Sequence, residues 1–169
     1  YVMIIKNISV QPICYKMFNP LDSSTKSHKD RDSWIIEITD IDGYIGYGEA
    51  SPLPDFNDET FEESGYALEG FKLAFKEVND NVAIDEMMIL IKAHTLNSPS
   101  ANFAIDTAIH DILAQKKNLS LNKYLHSRAL SEININGIYG LTNLDNYNTI
   151  KIKCGFRNLY DEVELLKKA

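Results

Sequence analysis

The sequence predicts an α+β unit, an antiparallel sheet followed by helices, that leads into the start of a β/α unit. Three observations carry this: period-two runs confined to the first fifty residues, helical stripes from about residue 59 to 125, and a return to β-branched runs after His126. The chain has 169 residues, which suffices for one ordinary domain or a small domain plus part of another.

The first strand is expected over Met3 to Met17, where apolar and polar residues loosely alternate. Ser33 to Thr39 is the second, and Tyr44 to Gly48 the third. Asp42-Gly43 between the last two favours a type I′ turn, whose central residues both need positive φ. Phe18 to Arg31 is polar and without period, so it reads as a long mobile loop, either a lid or disordered.

Asn57 or Asp58 is the expected cap of the first helix, with Glu59, Glu62 and Glu63 beside the positive end of its dipole. Phe61, Leu68, Phe71, Phe75 and Val78 form its apolar stripe, and Trp34 joins these aromatics as core. Ile84 to Leu96 is a shorter helix. Ser98-Pro99 opens a third, whose stripe of Ala101, Ala104, Ile105, Ala108, Ile109, Ile112 and Leu113 admits a close neighbour. Asn118 ends it, and Ser120 starts a short turn. Ile133 to Ile138 and Thr149 to Cys154 are then strands, and a helix begins at Asp161.

Composition excludes several classes. Hydrophobic residues are 44% and charged residues 24%, as in globular proteins, and the longest apolar run, Met87 to Ile91, is too short to span a bilayer. The absence of a signal segment points to the cytoplasm. Cys14 and Cys154 lack the spacing of a zinc site or disulfide framework. A net charge of −7 without a Lys/Arg cluster offers nucleic acid no basic face. No membrane partner is expected either, and a homo-oligomer stays open.

Lys151-Ile152-Lys153 is the sharpest chemical feature. On a strand the two lysines share a face, with α-carbons about 6–7 Å apart, while Ile150, Ile152 and Cys154 face a helix layer. Inside a barrel, mutual repulsion and desolvation would both lower a lysine's pKa, as a general base requires. On a wet strand face the tripeptide carries no function. His110 lies four residues after Asp106 and reads as its surface partner. His94 and His126 sit near helix ends. Asp106, Asp111 and Asp161 read as capping or surface residues.

Four segments in order give these lysines a context. Gly46-Tyr47-Gly48-Glu49-Ala50-Ser51-Pro52-Leu53-Pro54, running on through Asp55-Phe56-Asn57, resembles the signature loop of the o-succinylbenzoate synthase branch of the enolase superfamily. Phe103 to Leu113 resembles a helix of that family's capping domain. Ile135-Asn136-Gly137-Ile138 resembles its first barrel strand, and Ile150 to Gly155 the second.

The resemblance implies an α+β capping domain over residues 1–128 and, over residues 129–169, the opening of an incomplete (β/α) TIM-type barrel. Two cap loops, matching roughly Asn19 to Asp30 and Ala50 to Asn57, would choose a small-molecule carboxylate substrate. Ser51, Leu53, Phe56 and His28 are their expected contacts. Lys153 would be the acid/base and Lys151 its helper by charge. A Mg²⁺ ion would hold the charge of the enediolate formed when a proton leaves the carbon next to a carboxylate. Its ligands would lie on strands after Ala169, so no metal ligand is expected in this chain. With Tyr1 not a methionine and Ala169 inside a helical pattern, the chain reads as an inactive fragment of a lyase that dehydrates its substrate in menaquinone synthesis. A dipeptide epimerase or N-acylamino acid racemase is the alternative within the superfamily. A non-catalytic α+β binding module, self-associating through unpaired strand edges, is the alternative outside it. The Gly140 to Thr149 connection is shorter than a barrel's usual first helix.

Overall fold

The computed structural model describes residues 3–22, 27–53, 58–77, 84–140, 142–155 and 157–168. The chain separates into two compact units, Tyr1–Met17 with Lys29–Ala129, and Phe18–His28 with Leu130–Ala169.

β1 (Ile5–Asp22), β2 (Ser27–Asp40) and β3 (Ile45–Ala50) form an antiparallel sheet with β2 in the middle, which belongs to the larger unit except for its Phe18–His28 end. The helices α1 (Phe61–Glu77), α2 (Ile84–His94), α3 (Pro99–Lys116) and α4 (Leu121–Leu125) follow. Antiparallel sheet, then helices, is the order the sequence predicts. Residues 18–22 and 27–31, expected as loop, are strand, and the rest of that stretch, 23–26, lies outside the described residues. Pairing satisfies backbone groups without needing an apolar face, so a polar, aperiodic stretch can still join the ladder.

The β2–β3 turn also differs from the expectation. Gly43 alone has positive φ, at 88°. Its N–H donates to the Asp40 carbonyl at 3.1 Å, and the Asp40 N–H donates to the Tyr44 carbonyl at 3.0 Å. A three-residue loop with glycine in the left-handed position results, not a two-residue type I′ turn.

Along β3, exposed Ile45, Tyr47 and Glu49 alternate with buried Gly46, Gly48 and Ala50. The inner positions are small because α3 lies directly on them. A β-carbon on Gly46 would stand 2.0 Å from the Ala108 carbonyl oxygen, and one on Gly48 1.8 Å from that of Ala104. Glycines on the strand meet alanines on the helix, and Ile36, Ile38, Ile105, Ile109 and Ile112 seal the flanks without exposure. Beside them, the Trp34 indole stacks on Phe61 at 4.8 Å and donates to its carbonyl at 2.8 Å.

Helix ends show how local chemistry sets the boundaries. Thr60 caps α1 in place of the expected Asp58; Asn57, the other expected cap, lies outside the described residues. The Thr60 hydroxyl accepts from the Glu63 N–H at 3.2 Å, and Glu63 Oε2 accepts from the Thr60 N–H at 2.8 Å. Val78, the expected last residue of the α1 stripe, also lies outside the described residues. At the far end of α3, Asn118 takes φ 52°, as predicted for a terminator. Its N–H reaches the Gln115 carbonyl at 2.8 Å, and the Leu119 N–H reaches that of Ala114 at 3.0 Å.

Glu59 anchors the start of α3 from outside it. Its carboxylate, 4% exposed, accepts from the Ser64 hydroxyl at 2.8 Å, the Ser100 hydroxyl at 2.6 Å and N–H at 2.9 Å, and the Ser98 hydroxyl. Burial pushes its pKa up, but bonds from Ser100, Ser98 and Ser64 together outweigh burial and hold it below the ordinary value. Its contribution is therefore present above the unfolded-chain pKa of about 4.3 and lost as pH falls through the lower folded value. Glu59→Gln should cost roughly 2–3 kcal/mol near neutral pH, because a charged acceptor is lost among buried donors. Urea unfolding should show that gap closing as the solution is acidified.

In the smaller unit β4 (Gly137–Ile138) pairs in parallel with β5 (Ile150–Lys151), and α5 spans Leu159–Lys168. Both strands are shorter than the predicted Ile133–Ile138 and Thr149–Cys154. A strand extends only as far as its partner, and here the ladder has two rungs; Ile133 and Ile135 lie exposed before it. A 3₁₀ turn at Leu144–Asn146 occupies the short connector. Among the described residues, no helix is long and apolar enough to cross a membrane.

Candidate functional site

The two lysines lie at the end of β5. Gly137 and Tyr139 donate to the Thr149 and Lys151 carbonyls at 2.9 and 3.1 Å, which sets the parallel register. Lys151 is the last strand residue, and Lys153 follows the strand's C-terminal end. Both are exposed. Because the ladder has two rungs, Lys153 lies past the strand and not on its face beside Lys151. Ile150 and Ile152 are half-buried, as alternation requires, but Cys154 is exposed where a helix layer was expected to cover it.

Two features shape this end. Gly137 leaves room for the Tyr147 ring, which a β-carbon would approach to 2.8 Å. Beyond Lys153 the chain turns at Gly155, where φ is 97°. The Gly155 and Arg157 N–H groups both donate to Glu162 Oε1 at 3.1 Å, tying the turn to the first turn of α5. The same Glu162 raises the pKa of the exposed Cys154 thiol, chiefly by a side-chain hydrogen bond.

Ser51 and Leu53, two of the expected substrate contacts, belong to the larger unit. Ser51 Oγ lies 2.7 Å from the buried Ser33 Oγ, and Leu53 is half-buried. Phe56 lies outside the described residues, and His28 is described for its backbone alone, in β2. Sequence reasoning missed Arg31. Its guanidinium donates through Nη1 to the Pro52 carbonyl at 2.9 Å and through Nη2 to that of Ser51.

His110 pairs with Asp106, and Asp161 lies at the start of a helix, as the sequence reading expects. His110 Nδ1 sits 2.8 Å from the Asp106 carbonyl and 3.4 Å from its carboxylate. Asp161 binds Asn158 at the start of α5. Another pair escaped prediction: fully buried Asp40 accepts the Tyr44 N–H at 2.9 Å and lies 2.5 Å from Lys116 Nζ. Hydrogen bonds to Asp40 and then Asp42 raise the Lys116 pKa. Among the described residues, no three His, Cys, Asp or Glu side chains converge closely enough to hold a metal, so these residues do not fit a magnesium site.

Comparison with known proteins gives these features a frame. The family described as "MenC, N-terminal domain" matches residues 14–112. A hydrophobic dipeptide epimerase of Enterococcus faecalis is 30% identical over 162 residues, covering 93% of this chain and 45% of the relative. The o-succinylbenzoate synthase of Listeria innocua is 29% identical over 111 residues, covering 63% of this chain and 29% of the relative. Among solved structures, a dipeptide epimerase from Methylococcus capsulatus, complexed with Mg and the dipeptide L-Arg-D-Lys, superposes with a TM-score of 0.81. It is 24% identical, over 98% of this chain and 50% of the other. The chain therefore spans less than half the length of the two curated relatives.

Proposed function

We propose, from the premise that this chain belongs to the MenC N-terminal domain family, the capping domain of the enolase superfamily, that the full-length protein removes the proton next to a substrate carboxylate. Lys153 is the acid/base and Lys151 the neighbouring charge. Residues 1–128 form the cap and 129–169 the opening of the barrel. Ser51, Leu53, Phe56 and His28 are the substrate contacts of the two cap loops. Magnesium, when bound, supplies the charge that stabilises the enediolate, and its ligands lie outside the residues described here.

The observation that carries this reading is the position of the lysines. They stand at the C-terminal end of a parallel strand, where barrels of this architecture keep their chemistry.

For the fate of the carbanion, epimerisation is the first reading. The epimerase relative is similar over 93% of this chain, against 63% for the synthase relative. Dehydration is the second reading, favoured by the Ser51 to Phe56 loop and by a family matched over residues 14–112. Full-length protein should be given Mg²⁺ with dipeptides, N-acylamino acids and the synthase substrate, and the products separated by chirality and mass. Faster inversion of a dipeptide supports the first reading. Faster loss of water from the synthase substrate overturns it in favour of the second.

A further inference from the structure

Arg31 stands on β2, at the root of the first cap loop, and grips the root of the second. The β2–β3 register pairs Trp34 with Ala50, and β3 ends there. Two residues on, Pro52 has no N–H, so the ladder cannot simply continue. At this point the Arg31 fork takes two successive carbonyls, Ser51 through Nη2 and Pro52 through Nη1 at 2.9 Å. The Ser33–Ser51 hydroxyl pair at 2.7 Å lies alongside. Arg31 is half-buried, which shields both bonds from competing water. A planar guanidinium can hold two carbonyls at once in fixed directions, and a lysine ammonium offers no such fork.

We infer that Arg31 is a positioning residue that locks the segment opening Ser51-Pro52-Leu53 to the base of the first loop. Ser51 and Leu53 then meet substrate from one fixed position. The inference rests on the proposed role of these loops in choosing a carboxylate substrate. The positioning itself rests on the hydrogen bonds alone.

The test uses Arg31→Met and Arg31→Lys in the full-length protein, each first checked for native circular dichroism. The backbone carbonyl ¹³C resonances of Ser51 and Pro52 should shift in both variants, since lysine cannot restore the fork. With turnover, KM should rise roughly ten- to a hundredfold with kcat little changed, and the kcat/KM ratio between a dipeptide and an N-acylamino acid should shift. Unchanged carbonyl resonances at Ser51 and Pro52, or full rescue by lysine, overturns the inference. Equal loss for both compounds makes Arg31 structural only and likewise overturns it. If the wild type turns over none of the compounds, the function reading falls, while the carbonyl result still decides whether Arg31 positions the segment.

Discussion

Gly48→Ala is expected to leave the chain unfolded, or folded with a loss of roughly 3 kcal/mol or more. The added methyl would sit 1.8 Å from the Ala104 carbonyl oxygen and 2.6 Å from its carbonyl carbon. Both are backbone atoms in the middle of α3, so no rotamer change relieves the overlap. Relief requires α3 to lift away from β3, and that would open the core around Ile105, Ile109 and Ile112. Gly46→Ala meets the Ala108 carbonyl in the same way, so the two sites report one interface. Equilibrium unfolding in urea measures the effect. A loss below about 1 kcal/mol would mean that the helix does not rest on the strand this closely.

Lys153→Ala in the full-length protein is expected to lower the rate of α-proton removal by 10²- to 10⁴-fold, roughly the range for losing a general base. Its exposed position past the end of β5 makes a stability effect small, so the loss should fall on kcat with the fold intact. Lys151→Ala should act more weakly and mainly through KM, because its proposed part is charge and substrate contact. Equal losses at both positions would put the acid/base pairing in question.

Much of the cap was legible because local chemistry and tertiary packing agree there. The alanine stripe of α3 announced a close neighbour, and the glycines of β3 are its counterpart. Ser98-Pro99 and Asn118 marked the ends of that helix in both sequence and structure. The α1 cap was missed although Thr60-Phe61-Glu62-Glu63 carries the reciprocal Thr/Glu pattern, because the acidic residues before it offered a rival start.

Other features were invisible for physical reasons. Within the polar stretch from Phe18 to Arg31, residues 18–22 and 27–31 are strand through pairing alone, which leaves no hydrophobic period to read. The Glu59 cluster joins residues up to 41 apart, and Arg31 reaches residues 20 and 21 positions away, so neither has a local signature. The β4 and β5 segments have the composition of strands, yet their length depends on partners beyond themselves.

The most direct test of the account is exchange of the α-proton in deuterium oxide. Full-length protein with Mg²⁺ should wash deuterium into the α-carbon of a dipeptide or N-acylamino acid substrate. Chelation should stop it, and Lys153→Ala should slow it by at least about a hundredfold. A folded full-length protein that exchanges none of these protons, or a Lys153→Ala variant that exchanges at the wild-type rate, would contradict the account.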